Sequence, residues 1–246
     1  MRYLLAYILV LSAILSWGQS PRGPIMFFPE DWEGAHFQFE INTDHRCLGI
    51  YDNGNGSFRV KKFHLKDTTV DNPAYGLETL LVIDSVKPAF IVSGIKNLQA
   101  NDEIRGTAIV HTTYANSVLV PAKPFTYEIA EKKYTIFAKG NNFIDPNISQ
   151  FPAIKNYRVI LKSAAGEETV EQTLYSVDTL YPWPAGGFEG GVVLKWVGDL
   201  NKDNALDIIL TTSNDYRGHD VILFLSTQTK GRLVEEAVRY SWGAPN

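Results

Sequence analysis

Nine consecutive residues, Asp199-Leu200-Asn201-Lys202-Asp203-Asn204-Ala205-Leu206-Asp207, carry the one pattern in this chain whose chemistry reads directly from residue type and spacing. Oxygen-bearing side chains fall at its first, third, fifth and ninth places, as Asp199, Asn201, Asp203 and Asp207. Alternate residues of a tight loop can turn toward one centre, and the Ala205 carbonyl then joins an all-oxygen set. Calcium asks for such a set, roughly six to eight oxygens from carboxylates, amides, backbone carbonyls and water. Three carboxylates held this close repel one another unless a cation lies between them. The competing reading is a polar turn whose Asp and Asn side chains only bond backbone amides. Acids at three of nine places exceed what a turn needs, which favours the cation.

A helix-loop-helix calcium site would place Gly at the sixth position and Glu at the twelfth. Asn204 and Leu210 stand there instead, and strand-like runs at 192–197 and 207–212 flank the loop. The stretch Gly198-Asp199-Leu200-Asn201-Lys202-Asp203-Asn204-Ala205-Leu206-Asp207-Ile208 resembles the Gly-Asp-hydrophobic-Asn-x-Asp-Gly-x-x-Asp core of FG-GAP/VCBS-type repeats. Those repeats are the calcium loops of integrin-type β-propellers and of many secreted bacterial proteins. The resemblance implies a structural calcium ion held by Asp199, Asn201, Asp203 and Asp207 with the Ala205 carbonyl. Asn204 departs from the family's Gly, but Asn tolerates the left-handed conformation, so the loop is expected to survive the change. The match occurs once, over residues 198–208, whereas a propeller needs about four or more blades. It implies the loop and not a propeller.

The elements that would hold this loop are strands. Alternating or β-branched runs occur at 36–42, 47–51, 58–65, 79–84, 89–93 and 106–114. They continue at 157–163, 169–177, 192–197, 207–212 and 221–226. Turns are expected at Asn53-Gly54-Asn55-Gly56 and at Ala164-Ala165-Gly166-Glu167. Another lies at Glu131-Lys132-Lys133, the tip of a hairpin over 126–138. The best helix candidate is short, at 233–240. Many short strands between turns predict an all-β fold, an antiparallel sandwich or barrel-like structure with a strand-loop-strand calcium site. The prolines in Val120-Pro121-Ala122-Lys123-Pro124 suggest a division into β regions 19–120 and 121–246; the alternative is a Pro-bearing loop within one domain.

Residues 1–18 read as a signal peptide: Arg2, then an uncharged apolar stretch from Leu4 to Leu15, then Ser16 and Gly18 at a cleavage site. A secreted or periplasmic location is expected, with no membrane insertion after cleavage. One cysteine, Cys47, rules out an internal disulfide, and its apolar neighbours Leu48, Ile50 and Tyr51 predict a buried, inert thiol. The formal charge of −4 and the absence of Lys/Arg runs longer than two argue against nucleic acid as a partner. The five histidines share no metal-ligand spacing, and there is no Gly-x-Ser-x-Gly elbow, P-loop or Gly-x-Gly-x-x-Gly turn. Aromatic loops around Trp32 and Trp183 would suit a glycan or protein ligand, or would cover the open end of a sandwich. These readings point to an exported, calcium-stabilised β module for binding or structure. A secreted hydrolase, on carbohydrate, is the alternative; it would need two carboxylates about 5–10 Å apart beside Trp183 or Trp32.

Overall fold

The runs Val192-Val193-Leu194, Ile208-Ile209-Leu210 and Val221-Ile222-Leu223-Phe224 leave no polar side for water, so the strands they form must be covered on both faces. The architecture follows from that requirement. The computed structural model describes residues 25–27, 47–63, 66–72, 76–82, 87–109, 118–121, 123–144, 152–165, 168–181, 190–215 and 218–243. The export segment at 1–18, the 36–42 run, Trp32, Trp183 and the histidine side chains lie outside the described residues.

Fifteen strands are described. The first seven are β1 (Ile25–Phe27), β2 (Cys47–Gly54), β3 (Ser57–Phe63), β4 (Lys66–Asn72), β5 (Gly76–Val82), β6 (Phe90–Ser93) and β7 (Glu103–Ala108). Then come β8 (Phe125–Ile129), β9 (Lys132–Ile144), β10 (Pro152–Ala165) and β11 (Glu168–Leu180). The last four are β12 (Gly191–Gly198), β13 (Asp207–Asp215), β14 (Gly218–Ser226) and β15 (Val234–Gly243). Nine of them form one antiparallel sheet in the order β1-β6-β2-β3-β7-β12-β13-β14-β15; β11-β10-β9-β8 form a second, and β4-β5 a separate pair. The large sheet curls into a half-barrel and the four-stranded sheet packs on it, giving a two-sheet β sandwich. Strands from both sides of residue 120 share the large sheet. At 118–121 the chain crosses between the sheets, Val118 bridging to Val193 and Pro121 to Ala138.

Two cores lie on opposite faces of β12–β14. On one face, Val192, Leu194, Ile208, Leu210, Ile222 and Phe224 meet Tyr134, Ile136, Val159 and Leu161 of the four-stranded sheet. On the other, Trp196, Ile209, Val221 and Leu223 meet Ile50, Phe58, Val60, Phe90 and Ile104 inside the curl. Strict alternation would keep Trp196 on the side of Leu194. A bulge prevents this: the pairing passes from Leu194↔Leu210 to Trp196↔Ile209, so Lys195 is the extra residue and the indole turns into the curl.

A second bulge corrects one expectation. Residues 233–240 are not helical; 234–240 belong to β15, paired along β14. The register passes from Leu223↔Val238 to Phe224↔Glu236, leaving Ala237 as the extra residue. Val234 is therefore buried in the core facing the four-stranded sheet, and Ala237 and Val238 pack against the core inside the curl. That spacing of three to four mimics a helical stripe, although it arises on a strand. The hairpin over 126–138 forms as β8 and β9, but it turns at Ala130 and Glu131, both with positive φ, while Lys132 and Lys133 already belong to β9. At the Asn53–Gly56 turn, Gly54, Asn55 and Gly56 all take positive φ, as a tight hairpin demands.

Cys47 is 4% exposed, and burial pushes its thiol pKa upward. The native thiol is therefore expected to react with a disulfide reagent about a hundredfold more slowly than in denaturant, because few thiolates form and few reach solvent. Equal rates in native and denaturing buffer would contradict its buried position.

Candidate metal centre

The loop between β12 and β13 is anchored by its apolar residues before its acids act. Leu200 is fully buried in the core inside the curl. Leu206, 1% exposed, is buried in the opposite core. With both leucines inserted, the polar residues between them are drawn into a compact turn. Lys202 and Asn204 take positive φ there, 60° and 64°. For Asn204 this is the conformation that its side-chain chemistry tolerates in place of Gly. At Lys202 the strained backbone coincides with an ion pair, Lys202 Nζ lying 3.0 Å from Asp102 Oδ1.

The acids bind the loop's own backbone. Asp199 accepts from the amides of Asp203 through Oδ1 (2.9 Å) and Asn204 through Oδ2 (3.0 Å). Asn201 Oδ1 also accepts from the Asp203 amide, at 3.2 Å, so Asp199 and Asn201 converge on it. Asp203 Oδ1 accepts from Ala205 N at 2.9 Å. Asp207, with no exposed surface, accepts three amides: Leu200 (2.6 Å) and Asn201 (3.1 Å) on Oδ2, and Ser226 (2.7 Å) on Oδ1.

Ser226, at the end of β14, joins the two halves of this arrangement. Its hydroxyl donates to Asp203 Oδ2 at 2.5 Å and accepts from Asn201 Nδ2 at 3.1 Å, while its amide serves Asp207. Sequence spacing does not single it out. Nor does it mark Asp102 or Arg105, whose carbonyl accepts the Asp199 amide at 3.0 Å. The only sequence signal for Ser226 is its place at the end of the apolar run that pairs with β13.

Electrostatics separate the carboxylates. Burial pushes Asp207 up to about 7, with the charge of Asp203 adding to the rise and the Ser226, Asn201 and Leu200 amides opposing it. Asp199 is also raised, first by burial and further by Asp203, against the amides that bond it. Asp102 ends below the ordinary carboxylate value: burial pushes it up, but the Gln99 amide and Lys202 together outweigh burial. Burial likewise raises Tyr134, beside the loop and bonded to the Leu206 backbone.

The donor set fits a hard cation: every candidate ligand offers oxygen, and two of its carboxylates are held in a state that a positive charge would relieve. In the loop as it stands, the acids are engaged on amides. Among the described residues no three His, Cys, Asp or Glu side chains form a group able to hold a metal ion. Each carboxylate oxygen that accepts one N–H keeps lone-pair capacity. Beside the loop opens a cleft of about 420 Å³, lined by Glu103, Arg105, Tyr127, Glu128, Asp199 and Lys202 among others. Glu103 is held there by the Ser57 hydroxyl, at 2.5 Å.

The chain matches no known family model, no curated protein and no solved structure. The reading of this centre therefore rests on its own chemistry.

Proposed function

We propose that this chain is an exported β module stabilised by calcium at the 199–207 loop, with a binding or structural role. One observation carries the reading: three acids in nine residues share an oxygen-only loop, one of them fully buried, with Asp199 and Asp207 raised by burial and by the charge of Asp203. Asp199, Asn201, Asp203 and Asp207 would hold the ion with the Ala205 carbonyl. The ion would supply positive charge among carboxylates, and the chain's residues would supply the fixed frame, with Leu200 and Leu206 as anchors and Ser226 orienting Asp203. The neighbouring cleft is where a glycan or protein ligand would sit. Export follows from the pattern at 1–18 and suits a calcium-rich compartment.

The test is a thermal melt of residues 19–246 stripped with EDTA, then titrated with calcium and with magnesium. Extracellular calcium modules bind at about 0.1–1 mM. At about tenfold excess over the dissociation constant, calcium is expected to add about 1.4 kcal/mol. That corresponds to about 3–6 °C for a chain of this size. The rise should be absent with magnesium and absent in Asp203→Ala. No rise in the wild type would sink the calcium reading and leave the loop as turn chemistry alone.

A further inference from the structure

In the hydrogen-bonded order of the described strands, β7 joins the N-terminal part of the large sheet to the C-terminal part, while β1 and β15 also touch at its two edges. The link is narrow. Its first residues pair with β3, from Arg59↔Glu103 to Ser57↔Arg105, and its last with β12, from Gly198↔Gly106 to Trp196↔Ala108. By contrast β9, β10 and β11 pair along most of their lengths. Like β1–β6 and β2–β6, which are also joined over three residues each, the β7 seam is one of the short junctions of the large sheet.

The 199–207 loop spans this seam. The Asp199 amide donates to the Arg105 carbonyl and extends the β7–β12 ladder by one bond. Lys202 pairs with Asp102, just before β7. Leu200 is buried with Ile95, Leu98 and Ile104, all from the N-terminal side of the seam. Ser226 fastens the same loop to β14. Asp199 and Lys202 face the cleft together with Glu103 and Arg105 of β7.

We infer that the loop is a cation-operated clamp on the β7 seam: calcium, by ordering the loop, holds β7 against β12 and sets the width of the cleft. This rests on the calcium reading above. Without the ion, repulsion among the acids loosens the loop, and Leu200, the Asp199 amide and Lys202 lose their fixed positions together. The short β7–β12 junction then opens ahead of the long-paired strands β9, β10 and β11.

Hydrogen exchange on residues 19–246, with calcium or with EDTA, tests the clamp. EDTA is expected to speed exchange about tenfold or more in 57–60, 103–108 and 199–206, with β9–β11 unchanged. Uniform acceleration along the chain, or faster exchange confined to the loop, would overturn it. Two variants keep failure of the clamp distinct from failure of the calcium reading, since neither touches a proposed ligand. Leu200→Ala removes the apolar grip, and Asp102→Asn removes the ion pair while keeping the acceptor for the Gln99 amide. Asp102→Asn, a surface change, covers the case in which Leu200→Ala does not fold. Each folded variant should lose protection at 103–108 while calcium still protects 201–206. If calcium changes nothing in the wild type, the calcium reading and the clamp fall together. If calcium protects 201–206 but β7 keeps wild-type protection in both variants, the calcium reading stands and the clamp is overturned.

Discussion

Replacing Trp196 by alanine is expected to destabilise the fold by about 3–5 kcal/mol, the range for deleting a large buried aromatic. The indole is 1% exposed and meets Phe58 and Phe90 edge-on, at centroid separations of 6.1 and 5.5 Å. It also covers a cross-strand glycine pair, Gly106↔Gly198, that joins β7 to β12. A Cβ added at Gly106 would fall 2.4 Å from the indole; at Gly198 it would fall 2.5 Å from the indole and 2.4 Å from the Arg105 carbonyl. The three residues therefore form one packing unit. Gly106→Ala should be strongly destabilising in the wild type and markedly less so beside Trp196→Ala, a coupling that a double-mutant cycle in denaturant would measure. Trp196→Phe is the instructive contrast. Among the described residues the buried Nε1 has no hydrogen-bond partner, so phenylalanine removes a donor unpaired there while leaving a smaller void. Its loss should be well under half that of alanine. Additive effects of Trp196→Ala and Gly106→Ala would mean that the indole does not fill the space over the glycines.

Much of the strand pattern is legible in the sequence because β-branched runs and turn residues report local geometry. The turn between β2 and β3 shows this: Gly54, Asn55 and Gly56 are all residues suited to positive φ, and all three adopt it. That hairpin can be read without any tertiary information. The effect of bulges cannot. The pattern at 233–240 looks helical because Ala237 is inserted into β15, and no local rule marks that insertion. β4 escapes a pattern reading for a different reason: Lys66-Asp67-Thr68-Thr69-Val70-Asp71-Asn72 is too polar to show an apolar alternation, and among the described strands it pairs with β5 alone. In the candidate centre, the acids are visible because they lie within nine residues. Ser226, Asp102 and Arg105 reach the loop from other strands and turns, and only the assembled sheet brings them there.

Asp207→Ala is expected to cost about 2–4 kcal/mol in EDTA and more in calcium. Removal of the carboxylate strands three amides: that of Leu200 is a buried donor, worth about 1–3 kcal/mol when unpaired, and those of Asn201 and Ser226 are half-buried and cost less. One effect opposes this loss. Burial holds the Asp207 carboxyl up to about 7, so the folded protein carries an anion in a costly position, and alanine relieves that cost. The stranded amides outweigh the relief, because the Leu200 amide lies where its side chain enters one core and is shielded from water, and the half-buried Asn201 and Ser226 amides lose a charged acceptor beside it. Calcium changes the comparison: with the ion bound, the anion is compensated, the relief disappears, and the wild type also gains the binding increment. The gap between wild type and Asp207→Ala should therefore widen on adding calcium by at least the wild-type gain. Asp203→Ala separates the two contributions. Asp203 is only half-buried and holds one backbone amide, the Asn201 side-chain amide and the Ser226 hydroxyl, so its loss in EDTA should be the smaller, while its calcium response should vanish just as completely. Denaturant titrations of the three proteins, with and without calcium, give all six stabilities. Equal stability of Asp207→Ala and wild type in EDTA would show that the three amides find other partners. A calcium gain retained in Asp207→Ala would remove Asp207 from the ligand set and leave it as the residue that closes the loop.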